Sequence, residues 1–175
     1  MHLPEDDPNA FALFIDWIYR SKIPERKKKE DQATLYNLYI FAEKLCLDDL
    51  ANATMDEIQK LVDSHDHSFD QHSTLISKVY NETSSDSLLR KFCSHLMAFE
   101  LWVEAAAVIG DPRLIDDAGL QKAWIVCKDN VDLFKDFWSH IMTCSVEEGP
   151  PEPRYSEYYG NCEFHKHRDG ESCIG

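Results

Sequence analysis

Thr34-Leu35-Tyr36-Asn37-Leu38-Tyr39-Ile40-Phe41-Ala42-Glu43-Lys44-Leu45-Cys46 carries the clearest structural signal in the chain. Leu35, Leu38, Tyr39, Ala42, Leu45 and Cys46 recur at the spacing of one helical face. Tyr36, Ile40 and Leu47 lie off that stripe and are also apolar. A helix greasy on so much of its surface packs on more than one side, so it predicts a central helix beginning near Thr34.

Working outward, the flanks read as further helices. Upstream, Asp7-Pro8 is a helix start: Asp accepts from the free N–H groups, and Pro suits the first helical position. Phe11, Phe14, Ile15 and Ile18 then follow at helical spacing, with Leu13 and Trp17 widening the face. Pro24 is expected to end this helix, because it supplies no N–H and disfavours the helical form just before it. Downstream, Asp48 or Asp49 caps a third helix with Leu50, Ile58, Leu61 and Val62 facing in. Polar residues from Asp63 to Ser68 read as a linker. A short helix follows around Leu75, Ile76, Val79 and Tyr80.

Thr83-x-x-Asp86 resembles a capping box, with Asp in place of the usual Glu or Gln. It precedes the periodic run Leu88, Leu89, Phe92, Cys93, Leu96, Phe99. Gly110-Asp111-Pro112 breaks the chain. Two more helices are expected, over 121–127 and 131–142, the second carrying Phe134, Phe137, Trp138 and Ile141. Pro150, Pro151 and Pro153 cannot continue a helix. No strand pattern and no internal repeat appear before the tail, apart from a short possible strand at the very start. The fold class is therefore mostly α, with segments 1–63, 64–146 and a loop-rich tail over 147–175.

Composition bounds the function. An apolar fraction of 43% is enough to bury a core. Nineteen of the twenty aromatic residues precede the last dozen positions, unlike a disordered chain. The net charge of −14 disfavours nucleic acid and anionic membrane surfaces as partners. The basic run Arg26-Lys27-Lys28-Lys29 is flanked by Glu25, Glu30 and Asp31, and reads as a solvated loop rather than as a nuclear-import or docking signal. Met1-His2-Leu3-Pro4 leads into acids, which is not a secretory signal. No apolar run reaches the roughly 18 residues needed to span a bilayer. Six cysteines without an export signal are expected to be reduced thiols, in the cytoplasm or nucleus. Cys46, Cys93 and Cys127 sit among apolar residues and are read as small hydrophobes.

Three segments together carry a family resemblance. The first is Leu3-Pro-Glu-Asp-Asp-Pro with Phe11 and Phe14-Ile-Asp-Trp17-Ile-Tyr19. The second is Leu35-Tyr-Asn-Leu-Tyr39-Ile-Phe-Ala42-Glu43-Lys44-Leu45. The third is Leu50-Ala-Asn52-Ala-Thr-Met55-Asp56-Glu-Ile58. In that order and spacing, over about residues 1–62, the chain resembles BTB/POZ domain proteins of filamentous fungi. Tyr80-x-x-Thr83, Ser87-Leu-Leu-Arg90, Asp111-Pro112 and a late Cys-x-x-His-x-His resemble the C-terminal extension of those proteins. The resemblance implies the C-terminal helical half of a BTB domain, without the strands that open one, followed by a helical extension. It further implies an adaptor or scaffold role toward a cullin ubiquitin ligase or a transcription complex, with self-association as another mode. A cullin-binding face would use the helices at 9–22 and 34–62.

The tail holds the sharpest candidate for a site. Cys162, His165, His167 and Cys173 supply two thiols and two imidazoles within twelve residues. Structural zinc takes four such ligands in a tetrahedron. The spacing is not that of a standard finger, and the ordinary reading is a charged tail with incidental Cys and His. A small zinc-binding domain organised by this cluster is the alternative function. His65, Asp66, His67, Asp70 and His72 in the linker are a weaker set, since exposed histidines in polar loops are common. Catalysis finds no support: there is no Gly-rich phosphate loop and no nucleophile elbow. Cys93 and His95 stand two apart on a helix and face different ways. The expectation is a protein-interaction module and not an enzyme.

Overall fold

The computed structural model describes residues 7–25, 28, 31–63, 73–109, 117–144, 149–154 and 163–167. Seven helices are found there, and no β-strand among the described residues. They are α1 (Pro8–Arg20), α2 (Asp31–Lys44), α3 (Asp48–Asp63), α4 (Ser73–Glu82), α5 (Leu88–Ile109), α6 (Asp117–Cys127) and α7 (Val131–Thr143). The all-α class expected from periodicity is what the chain adopts. None of these helices is long and apolar enough to cross a membrane.

The chain divides into two compact units. One is Met1–Asp66 with Asn161–Gly175, and the other is His67–Gly160. This differs from the expected division at the tail. Residues 149–154 group with the second unit, and 163–167 return to the first.

In the first unit α2 is the central element and packs on both α1 and α3. Leu35, Tyr36, Leu38, Tyr39, Ile40, Phe41 and Ala42 are all buried, so the expected two-sided packing is observed. The helix starts at Asp31, three residues earlier than expected. It ends in a Schellman motif: Leu47 N–H donates to the Ala42 carbonyl at 2.9 Å and Cys46 N–H to that of Glu43 at 3.0 Å. The left-handed position, usually Gly, is Cys46 at φ 54°. That turn carries its thiol outward, so Cys46 is exposed and is not the inward hydrophobe expected.

α1 begins as predicted. Asp7 accepts from Asn9 N–H at 2.8 Å, and Pro8 takes the first helical position. Asp7 Oδ2 also accepts from Asn37 Nδ2 of α2 at 2.7 Å. The helix stops at a left-handed Ser21, φ 51°, whose N–H donates to Trp17, three residues before Pro24 can act. α3 buries Leu50, Met55, Ile58, Leu61 and Val62, with both Asp48 and Asp49 in its first turn.

In the second unit α5 packs chiefly on α7, with α4 and α6 beside it. Every residue from Phe92 to Ala98 is buried, including Ser94 and His95. The expected capping box does not form. Ser87 is the cap of α5, its carbonyl accepting from Lys91 N–H. Thr83 instead closes α4, with its hydroxyl donating to the Val79 carbonyl at 2.6 Å. α7 is capped by Asn130, which accepts from Leu133 N–H at 3.0 Å. Residues 149–154 lie against α5: the Trp102 indole presses on Gly149, φ +72°, and the Arg154 guanidinium sits 5.3 Å over the Phe99 ring.

Candidate functional site

Three features of the described residues bear on function: the docked tail, the outer faces of two helices, and a polar seam inside the second unit.

The tail segment Glu163–His167 runs onto α2 and α3. Asn52 of α3 grips Lys166 by its backbone on both sides. Its amide nitrogen donates to the Lys166 carbonyl at 2.9 Å, and its amide oxygen accepts from Lys166 N–H at 2.8 Å. Lys166 Nζ donates to Glu43 Oε1 at 2.8 Å, where the Glu43 side chain is 9% exposed. His165 Nε2 lies 2.9 Å from Asp56 Oδ1. Phe164 is buried, 3% exposed. Of the four residues expected to bind zinc, Cys162 and Cys173 lie outside the described residues. His165 and His167 are brought together, with ring centroids 6.0 Å apart. No group of three potential metal ligands occurs among the described residues. The linker set His65, Asp66, His67, Asp70 and His72 lies outside the described residues, as do Arg26, Lys27 and Lys29 of the basic run.

α1 presents apolar side chains in two directions. Ala10, Leu13, Phe14 and Trp17 share the spacing of the inner face, and Ala10 and Leu13 are buried. Phe14 packs against Phe41 of α2 with ring centroids 5.1 Å apart. Phe11, Ile15 and Ile18, expected on the same inward stripe, are 41%, 38% and 50% exposed. Tyr19 beside them is 83% exposed. α7 repeats the pattern. Leu133 and Phe137 face in, while Val131, Phe134, Trp138 and Met142 line the outer side. Phe134 and Trp138 stack on one another there, with ring centroids 6.2 Å apart.

The polar seam joins α4, α5 and α7. Arg90 Nη2 donates to the carbonyl of Tyr80 at 2.6 Å and to that of Thr83, and Nε donates to the Thr83 hydroxyl at 3.0 Å. A guanidinium on the terminal carbonyls of α4 is a charged C-terminal cap, placed where the helix dipole favours it. Tyr80 Oη donates to Asp136 Oδ2 at 2.9 Å. Burial pushes the Tyr80 phenol well above its ordinary range, with Cys93 and Asp136 adding to it, so it stays a donor.

His95 and His140 lie face to face, with ring centroids 3.5 Å apart and planes 12° from parallel. Burial, then the neighbouring His140 and Lys91, hold the His95 imidazole down to about 3. Cys144 Sγ lies 3.7 Å from His140 Nε2 and donates to the His140 carbonyl at 3.1 Å. Burial raises that thiol's pKa, so this Cys–His contact does not make a thiolate. The charges in the seam serve packing and capping. Periodicity could not show the seam, because Thr83 and Arg90 look like ordinary polar positions until α4 and α5 are laid side by side.

An open groove of about 530 Å³ lies between α4 and α6, lined by Thr74, Ser77, Asn81 and Ile125 among others. Its Lys78 and Glu82 pair with each other at 3.8 Å, so it offers no single sign of charge to a ligand.

The chain matches no protein-family model, no curated protein and no solved structure.

Proposed function

We propose that the chain is a protein-interaction module of the BTB/POZ adaptor or scaffold type, acting toward a cullin ubiquitin ligase or a transcription complex. The class comes from the sequence resemblance over about residues 1–62. The observation that supports an interaction role is the outer face of α1. Phe11, Ile15, Ile18 and Tyr19 are large, apolar and 38–83% exposed on one short helix. Exposed apolar side chains that are contiguous on one element mark a surface that meets another protein. The i, i+4, i+7 spacing of Phe11, Ile15 and Ile18 is the form in which a helix offers anchors to a groove. The net charge of −14 makes the same surface a poor match for nucleic acid.

The test is a pull-down of a fungal cullin scaffold by the full chain, alongside the variants Ile15→Glu and Ile18→Glu. Both positions are exposed, so the fold is expected to tolerate the change. The expected result is capture by the wild type and at least a tenfold loss in either variant. Failure of the wild type to capture the cullin removes the ligase role, and capture unaffected by both variants removes this face.

A further inference from the structure

We infer that the α2–α3 surface gripping residues 163–167 is a recognition site for a short peptide of a partner protein, which turns at an aromatic residue and carries a basic one two positions later. The chain's own Phe164-His165-Lys166 occupies it in cis as a competing ligand. Nothing in this depends on the cullin reading or on α1.

The contacts are those of peptide recognition, not of helix packing. Asn52 pairs with both the N–H and the carbonyl of a single residue, as a neighbouring β-strand would. Such pairing reads the backbone and is indifferent to side chain. Selectivity then comes from what flanks it. Phe164 is buried, which selects a large apolar residue. Glu43 on one side and Asp56 on the other select basic or hydrogen-donating residues. These partners lie over 100 positions from the tail in sequence, so the segment reaches the surface as a separate ligand would.

Glu43 indicates that the cis ligand is not the best one. Its Oε1 accepts from Lys166, yet Oε2 is buried with no hydrogen-bond partner among the described residues. An ammonium serves one oxygen, whereas a guanidinium forks onto both. The site therefore fits Arg at that position better than the Lys it holds. Charge decides between kinds of occupant. A basic peptide is drawn to an acidic chain, whereas two copies at −14 each repel. An internal ligand at high effective concentration that leaves Glu43 Oε2 unmatched is the arrangement of an autoinhibited site, opened by a better-matched external one.

The experiment uses the full chain and a fluorescein-labelled peptide of residues 161–169 carrying Cys162→Ser. Lys166→Glu in the chain sets two carboxylates against each other and frees the cis segment. The peptide is expected to bind this variant at least tenfold more tightly than the wild type, by fluorescence anisotropy. Adding Asn52→Ala to the variant is expected to cost at least tenfold, as is Phe164→Ala in the peptide. Lys166→Arg in the peptide is expected to tighten binding several-fold. Phe164→Ala in the chain is a second means of release, should Lys166→Glu lose its helical circular dichroism. The inference is overturned if the released chain does not bind the peptide, or binds it equally with and without Asn52. It is equally overturned if both releasing variants unfold, because the segment is then an integral part of the unit. Dimerisation of the wild type by light scattering, lost on Asn52→Ala, would assign the surface to tail exchange between copies and overturn it too.

Discussion

Gly149 and Trp102 show how one backbone atom sets a loop. Gly149 has φ +72°, and any Cβ there would run into the Trp102 indole. Both a left-handed cost and a collision follow from adding a methyl. Gly149→Ala is expected to lower stability by about 2–4 kcal/mol, read from denaturant unfolding. His95 makes a second case. Its imidazole is held down to about 3, so the folded chain binds it neutral while the unfolded chain protonates it near 6.5. The unfolded state then gains the proton, and stability falls as pH drops from 6.5 toward 3. His140 faces it across the stack and Lys91 adds positive charge, so both disfavour the charged form as burial does. Between pH 6.5 and 5 the loss is expected to be on the order of 1–2 kcal/mol. Thermal melting across that window checks it. In His95→Phe, which keeps a ring against His140, the same window is expected to show a shallower slope.

The helix α1 is the element in which spacing and burial part company. Phe11, Ile15 and Ile18 fit one helical stripe, and Ala10, Leu13, Phe14 and Trp17 fit another about a third of a turn away. Spacing alone satisfies both. The rotation of the helix is set from outside, by Asn37 holding Asp7 and by Phe41 meeting Phe14. This orientation has a direct consequence. Leu13→Ala is expected to cost about 3 kcal/mol, since Leu13 is 1% exposed, whereas Ile18→Ala, at 50% exposed, is expected to cost less than about 1 kcal/mol. Comparable losses in urea melts would mean that the helix is turned differently. α7 follows the same logic, with Leu133 and Phe137 inward and the larger Trp138 outward.

Across the chain as a whole, two helical units coexist, and residues 163–167 belong to the first of them. Helix existence was legible from local features: the Asp7-Pro8 start, the dense apolar run of α2 and the aromatic spacing of α7 all act within a few residues. Some boundaries were less so. α1 closes at a left-handed Ser21 and α2 at a left-handed Cys46, conformations no propensity assigns to those residues. The tail was legible only as a cluster of Cys and His. Its engagement with Asn52, Glu43 and Asp56 was not, because those residues are over 100 positions away and look like ordinary surface of α2 and α3. Local chemistry, in caps, turn residues and apolar spacing, thus settled that the chain is helical and roughly where each helix lies. Which face each helix buries, that Arg90 closes α4, and that Phe164 returns to the first unit came only from the folded arrangement. Those outcomes depend on long-range contacts, whose partners no stretch of sequence names.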